Sequence, residues 1–545
     1  MHPAILFEPD GYLTTGPRLM GRQSAGDGFL RAAVKARGDD PLAAYTPSPA
    51  SAEAFRARVA ELDPAAQTRW IPARRLDLLG PCGVLYRPDH VIDLSARSRL
   101  RVGADQYSLC GVTHTLASGG ALDQIADMAV APIMPWDAVI CTSSAAVSVI
   151  HGGLDTQADY LKWRFGCAVT SPRPLTPLIP LGVHCEDYAF TAEDRAAARA
   201  DSDIADDEVV ALFAGRFSIN GKAHPYPMYR ALQAAAQATG RRIAILHAGQ
   251  FVNQDLENAF RSAAARFCPD VRCIFLDGKD PALYRGSWAA ADIFITLSDS
   301  IQETFGLTPV EAMAAGLPVL VTDWNGYKDT IRDGIDGFRI ATWQPAAGAG
   351  EPAGRDHEVG TASYDLFLSR MSSAVAVDMR ALVARLTDLV VDGDLRRRMG
   401  AAGRSRAREI YDWSVIYGRY QALWAELNAI RRRDATSALL HGAPRSASGR
   451  RDPFEVFGHY STHTIRPDTP IAAAADASLS TYESLAGHPI LAHWKLPAQA
   501  AQRIFAALAA GAPTVAALAQ GAGISPDAMA EIVGRLAKMG LIDLG

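Results

Sequence analysis

Two successive series of short apolar runs alternate with amphipathic or small-residue segments through the first 340 residues, and this alternation constrains the fold more than any other feature of the chain. The first series comprises Ala4 to Phe7, Gly83 to Tyr86, Tyr107 to Val112, Ala138 to Thr142 and Leu178 to Leu181. The second comprises Val209 to Phe213, Arg242 to His247, Val271 to Leu276, Asp292 to Leu297 and Pro318 to Thr322. Each run is short enough for a buried strand. Strands that alternate with helices form a parallel sheet with helices on its faces, because parallel neighbours need a long crossover. The expectation is therefore an α/β chain with two doubly wound, Rossmann-like domains, residues 1–190 and 191–430, facing across a cleft. Ligands of open α/β sheets bind there, outside the carboxyl ends of the strands. Thr191 to Asp207, rich in Asp, Ala and Arg, is expected to hold the linker between them. A length of 545 residues agrees with more than one core.

Beyond the second series, residues 343–361 have loop composition, dense in Gly, Pro and Ala. Helical pattern resumes at Arg380 to Val391 and at Arg408 to Ile430, the latter carrying Tyr411, Trp413, Ile416, Tyr420 and Leu423 at spacings near three and four. Residues 431–470 lack sustained periodicity and read as a linker, with Asp452 to Phe457 as a short docking run. Residues 471–545 read as a small, mainly helical domain of winged-helix type: Ala498 to Ala510, Thr514 to Gln520, Ser525 to Met539, then Gly540-Leu541-Ile542 as a strand. From Ile471 onward there are four Lys or Arg against five Asp or Glu, and the third helix opens with Asp527 and Glu531. A recognition helix needs donors for bases and cations for phosphates. The expected partner of this domain is a protein or peptide rather than DNA.

A formal net charge of -5 excludes a global attraction to nucleic acid or anionic lipid. Arg74-Arg75 and Arg97 to Arg101 are local exceptions, read either as a solvated face or as a contact with anionic lipid at the inner face of a membrane. The seven cysteines are odd in number, widely spaced and without a CxxC pair, which suits reduced thiols. The N-terminus lacks the pattern of a secretory signal, and no run has the ~18 apolar residues of a spanning helix. These features place the chain in the cytoplasm.

The chemistry concentrates between Ile301 and Ile340. Thr308-Pro309-Val310-Glu311 has the form of a capping box, with Thr308 as N-cap, Pro309 at the first helical position and Glu311 reaching back. Gly316 and Pro318 end that helix before the strand Val319 to Thr322. Glu303 to Leu307 then lies at a strand-to-helix turn, where free N–H groups and the helix dipole favour an anion such as a diphosphate. Glu303 and Glu311 flank this turn, and carboxylates accept short hydrogen bonds from sugar hydroxyls. Glu311 could equally be only a cap, and Glu303 a solvated loop charge.

The spacing Glu303-x7-Glu311, with Phe305-Gly306-Leu307 inside it and Glu311-Ala312-Met313-Ala314-Ala315-Gly316-Leu317-Pro318-Val319 following, closely resembles the nucleotide-binding motif of family-4 retaining glycosyltransferases. Gly215-Arg216 after a strand, with Lys222 six residues beyond the arginine, resembles that family's phosphate clamp, although Arg216 could instead pair with Asp206 or Asp207. Pro180 to His184, Asp292 to Leu297 and Asp333 to Phe338 add further similar marks, and the resemblance covers about residues 1 to 430. It implies the GT-B fold and a nucleotide-diphosphate-sugar donor. Arg216 and Lys222 would contact the donor phosphates, Glu311 the ribose and Glu303 the transferred sugar, with backbone amides of Phe305, Gly306 and Leu307 completing the site. The base would lie near Leu276-Asp277-Gly278. In the N-terminal half the match is looser. Gly21 and Arg22 stand where the family has a glycine-rich loop near the phosphates, or form an ordinary loop. His114, after a strand, resembles the family's cleft histidine, or is a satisfied core residue.

The mechanism implied is transfer with retention. The acceptor hydroxyl attacks from the face the diphosphate leaves, and a phosphate oxygen takes its proton, with Arg216 and Lys222 stabilising the departing charge. No resident cofactor and no metal is implied, since Asp201-Ser202-Asp203 stands in an acidic segment without phosphate-binding context. The acceptor would be a carbohydrate, a lipid-linked or a peptide hydroxyl, and self-association into a homo-oligomer is left open. The rival readings are a GT-B nucleotide-sugar epimerase or hydrolase, and a scaffold that senses a nucleotide-sugar.

Overall fold

The computed structural model describes residues 2–14, 21–168, 170–434, 436 and 438–545. The chain divides into two units at residues 447 and 448. The apolar runs of the first series become strands because they are too short to make stable helices and have no polar face to solvate. Four of them do so, as β1 (Ala4–Leu6), β4 (Val84–Tyr86), β5 (Ser108–Val112) and β6 (Ala138–Ile140), and two further strands outside that series, β2 (Leu42–Thr46) and β3 (Thr68–Pro72), join them. They form one sheet in the order β3-β2-β1-β4-β5-β6, parallel throughout. The second series gives β7 (Val209–Ala214), β8 (Ile243–Gly249), β9 (Arg272–Asp277), β10 (Ile293–Thr296) and β11 (Val319–Thr322), and a strand outside it, β12 (Gly337–Ile340), completes the sheet. Their order is β12-β11-β10-β7-β8-β9, again parallel. In each sheet the order reverses beside the first strand of the half, between β1 and β4 and between β7 and β10. Such switch points open a crevice for ligand at the carboxyl ends of the strands.

Leu178 to Leu181 does not form a strand. Pro172, Pro174, Pro177 and Pro180 remove ladder donors, so the segment makes only single bridges, Leu175 to Ala138 and Leu178 to Cys141. The segment expected to be a linker contains a helix, Ala192–Asp201, closed by a Thr191 and Asp194 capping box. Arg195 and Arg199 on that helix bond Asp292 and the carbonyls preceding β10. Residues 343–361, expected as loop, hold the helix Glu351–Glu358, and β13 (Thr342–Trp343) pairs with β14 (Ala376–Val377).

The two sheets are tied within the first unit at three places. The amide of Val183 donates to the carbonyl of Tyr411 at 2.8 Å, and that of Trp413 to Val183 at 3.1 Å. The helix Trp413–Arg433 then packs on the first sheet, its Tyr417, Tyr420 and Trp424 gathered around Phe29 and Tyr86. Asp329, beyond β11, accepts from the amide and hydroxyl of Ser144 at 2.6 and 2.8 Å, at the start of the helix Ser144–Phe165.

Within Arg97 to Arg101, Arg99 takes no part in an open basic face, whereas Arg101 is exposed. Arg99 is fully buried, bidentate to the equally buried Asp137 at 2.7 Å, and Asp137 also accepts from the amides of Leu109 and Met134. Through the Leu109 amide this pair is tied to β5. Arg75 is likewise taken by Asp77.

The second unit has the helices Ala498–Ala509, Val515–Ala522 and Pro526–Lys538, the last two capped by Thr514 and Ser525. They enclose Ile504, Leu508, Leu518, Met529, Val533 and Leu536. β15 (Ile471–Ala473) pairs antiparallel with β16 (Ile542–Leu544). Asp527 and Glu531 are exposed, Glu531 pairing with Arg535. The run 452–457 does not dock in this unit, since Phe454 is 79% and Phe457 52% exposed. Among the described residues no helix is long and apolar enough to cross a membrane.

Candidate functional site

β10 delivers the chain into the turn that carries Glu303, and β7 delivers Gly215 and Arg216. Both therefore emerge at the switch point of the second sheet. The turn closes with Gly306 at φ +86°, and a Cβ there would stand 2.1 Å from Cε1 of the buried Tyr327. Only glycine serves both the left-handed backbone and the ring contact. Gly306 is thereby the N-cap of the helix Leu307–Ala315, with no side-chain cap. The capping box expected at Thr308 is not formed. The helix starts before Thr308, and Glu311 lies on its second turn, beyond reach of the N-cap amide. The first N–H groups of this helix have no intrahelical acceptor and no side-chain cap, which leaves an anion site at its N-terminus.

Lys222 donates its Nζ to Oε2 of Glu303 at 2.9 Å, across 81 residues of sequence. The Glu303 side chain is 10% exposed. Burial opposes its ionisation, but the Lys222 ammonium and the amides of Thr304 and Phe305 hold its carboxyl below the ordinary carboxylate range. Phe305 contributes through its backbone, because its ring is buried in the core. Glu311 is treated differently by its surroundings. Burial pushes its carboxyl up to about 7, against a hydrogen bond from Tyr188 and the charge of Lys222. Its Oε2 is buried without a partner. A buried acceptor left unmade costs about 1–3 kcal/mol, so this oxygen is prepared for a donor that the chain itself does not supply.

Arg216 is half-buried, and the pairing with Asp206 or Asp207 is not formed, since Asp207 is taken by Arg242. Gly215, at the end of β7, lies so close to Gly249 that a Cβ on the latter would fall 1.8 Å from the Gly215 carbonyl. The carboxyl ends of β7 and β8 can therefore approach each other closely below Arg216.

Two residues here escaped the sequence reading. Tyr188 lies in a short turn of the crossover, Cys185–Tyr188, where no motif marks it. Asp299, between β10 and the turn, has a buried Oδ1 without a partner, and burial pushes its carboxyl up to about 7.

The N-terminal candidates form a separate group. His114 follows β5, bonded to the Pro88 carbonyl, and burial lowers it to about 4, so the imidazole is neutral at pH 7. The charges around it include Asp89 and Arg22. Gly21 is not in a loop but opens the helix Gly21–Ala36, and Arg22 in its first turn pairs with Asp10. Among the described residues no hydrogen bond or ion pair joins this group to Lys222, Glu303 or Glu311.

Residues 194–349 match the family model described as Glycosyl transferases group 1. This part of the chain is thus similar to a group 1 glycosyltransferase domain. It spans β7 to β12 and contains Arg216, Lys222, Glu303 and Glu311. Among curated relatives, a D-inositol 3-phosphate glycosyltransferase of Nocardia farcinica is 33% identical over 163 residues, 29% of this chain and 36% of its own length. A phosphatidyl-myo-inositol mannosyltransferase of Mycobacterium leprae is 30% identical over 160 residues, 29% of this chain and 33% of its own. The chain thus spans about a third of the length of these two relatives. A glycosyltransferase structure from Rickettsia africae aligns with a TM-score of 0.50 at 11% identity, covering 78% of this chain and 98% of that one. With the two parallel six-stranded sheets, this establishes the GT-B fold of two Rossmann-like domains.

Proposed function

We propose that the chain transfers a sugar from a nucleotide-diphosphate sugar to an acceptor hydroxyl, with retention of anomeric configuration and without a bound metal. The observation that carries the reading is the Lys222–Glu303 pair beside the uncapped helix N-terminus, with the unpartnered oxygen of Glu311 on the same helix. Arg216, Lys222 and the amides from Phe305 to Leu307 take the diphosphate, and their positive potential stabilises the charge that develops as it leaves. Glu303, kept ionised by Lys222, accepts from hydroxyls of the transferred sugar, and Glu311 accepts from the ribose. The bond from the anomeric carbon to the phosphate oxygen breaks while the bond to the acceptor oxygen forms on the same face, and the acceptor proton passes to a phosphate oxygen. His114, neutral, contacts the transferred sugar, and Gly21 and Arg22 approach the phosphates from the first sheet. The relatives are named for different acceptors, so the acceptor is a carbohydrate, lipid-linked or peptide hydroxyl. The second unit, with its exposed Asp527 and Glu531, contacts a protein or peptide.

The test follows the product by NMR with a panel of nucleotide-sugars and simple acceptors, with and without EDTA, for wild type and Glu303→Gln. A glycoside of the donor's own anomeric configuration, formed equally in EDTA and reduced in Glu303→Gln, is expected. An inverted product overturns retention, and loss in EDTA overturns metal independence. Free sugar alone indicates a hydrolase, an altered nucleotide-sugar an epimerase, and donor binding without turnover a sensor.

A further inference from the structure

The helix Ser144–Phe165 is longer than the sheet it covers. Its buried residues are Ala146, Ile150 and Leu154 along the body, and then only Leu161. The chain returns past it so that Arg173 pairs with Asp155 at 2.7 Å. The ten helical residues beyond Asp155 thus extend about 15 Å past that anchor. On this extension Tyr160 is 50%, Trp163 75% and Phe165 63% exposed, and Lys162 and Arg164 are exposed between them. Ser171 on the returning chain donates to the Ala129 carbonyl at 2.8 Å. No carboxylate occurs from Tyr160 to Thr170.

We infer that this helix tip is a membrane anchor that inserts Tyr160, Trp163 and Phe165 into the interface of an anionic lipid bilayer, with Lys162 and Arg164 against the headgroups. Exposed clustered apolar groups mark protein or membrane contacts, and the angular arrangement decides between them. At 100° per residue Tyr160 and Trp163 share one side of the helix, their rings 5.7 Å apart, while Phe165 points to the opposite side, with Arg164 and Lys162 in the gaps between. A folded partner reads one face of a helix. A bilayer interface surrounds the tip, takes aromatic rings at headgroup depth, and lets the Lys and Arg stems lie along the acyl boundary with their charges in water. The charge balance of the extension, Lys162 and Arg164 against the single Asp159, complements anionic lipid even though the whole chain is acidic.

The test is co-sedimentation of the full chain with sucrose-loaded vesicles, either phosphatidylcholine alone or an equal mixture with phosphatidylglycerol, without donor or acceptor. Wild type is expected to pellet with the mixed vesicles and to be released by high salt. Trp163→Ala and Phe165→Ala should each weaken the partition about tenfold, as expected for partial burial of an aromatic side chain. Lys162→Ala and Arg164→Ala should each lower the preference for the anionic vesicles about fivefold. Circular dichroism checks that every variant is folded. Wild type that pellets no better with mixed vesicles than with phosphatidylcholine overturns the inference, as do folded variants that bind like wild type. A dimer lost on Trp163→Ala without vesicle binding also overturns it. Because the assay contains no substrate, its failure is distinct from failure of the transferase reading.

Discussion

Removing Lys222 tests how the donor site is held together. In Lys222→Met the Glu303 carboxylate keeps its 10% exposure but loses the ammonium 2.9 Å away. Breaking a fully buried pair from one side costs about 3–5 kcal/mol. Lys222 retains 30% exposure, so solvent screening reduces the expected cost to about 2–3 kcal/mol. Glu303→Gln leaves behind the less buried cation and should cost about half as much. The double variant should be no less stable than Lys222→Met, giving a coupling of at least about 1 kcal/mol. The pH dependence has a definite sign. In wild type the Glu303 carboxyl is held below the ordinary 4.5, so its stabilisation is present above that value and is lost as pH falls through the lowered one. In Lys222→Met burial is opposed only by the amides of Thr304 and Phe305, so the carboxyl lies higher than in wild type and the variant approaches wild type on acidification. Urea titration of the four proteins between pH 4 and 8 measures both effects. Losses that add within about 0.5 kcal/mol, or a gap that does not narrow at low pH, would refute the account of the pair.

Arg216→Ala removes a cation that has no ion pair among the described residues, so urea stability should change by less than about 0.5 kcal/mol while turnover falls about 10²–10³-fold. A large loss of stability would assign Arg216 to the scaffold instead. Glu311 has its carboxyl raised from 4.5 to about 7, so the native state holds the proton more tightly than the unfolded chain and stability falls as pH rises between those values. Glu311→Gln should therefore gain on wild type across that range, by at most about 3 kcal/mol, while binding donor more weakly in calorimetry. Gly306→Ala places a methyl 2.1 Å from Tyr327 at φ +86°, and overpacking with backbone strain should cost about 3 kcal/mol and abolish turnover. Wild-type thermal stability in this variant would show that the turn adapts.

The legible part of the fold is the part that repeats at short range. Five runs of the second series and four of the first sit within a residue or two of real strands, because an apolar run bounded by breakers has one good way to bury itself. Leu178 to Leu181 was misread because its composition is that of a strand while its prolines deny the ladder. The helix at Leu307 shows a subtler failure. Thr308-Pro309-x-Glu311 is a valid capping sequence, but the left-handed Gly306 lets the helix begin earlier, and that glycine is fixed by Tyr327, twenty-one residues away. The same long range hides the Lys222–Glu303 bond and the Tyr188 contact to Glu311, which exist only once the sheets are assembled. Arg97 to Arg101 looked like a surface because charge usually is, yet Arg99 is buried against Asp137, while the aromatic tip at Trp163 is visible only once exposure is known.

The central claim, that Arg216, Lys222, Glu303 and Glu311 form one donor site, is tested most directly by melting the full chain against a panel of nucleoside diphosphates and their sugars. At about 100-fold over Kd a ligand specific for the native state adds about 2.7 kcal/mol, enough to raise the melting temperature by a few degrees. The account predicts that at least one nucleotide produces such a shift in wild type, and that the shift is lost in Arg216→Ala, whose own melting temperature is unchanged. No shift from any nucleotide, or an equal shift in Arg216→Ala, would contradict it.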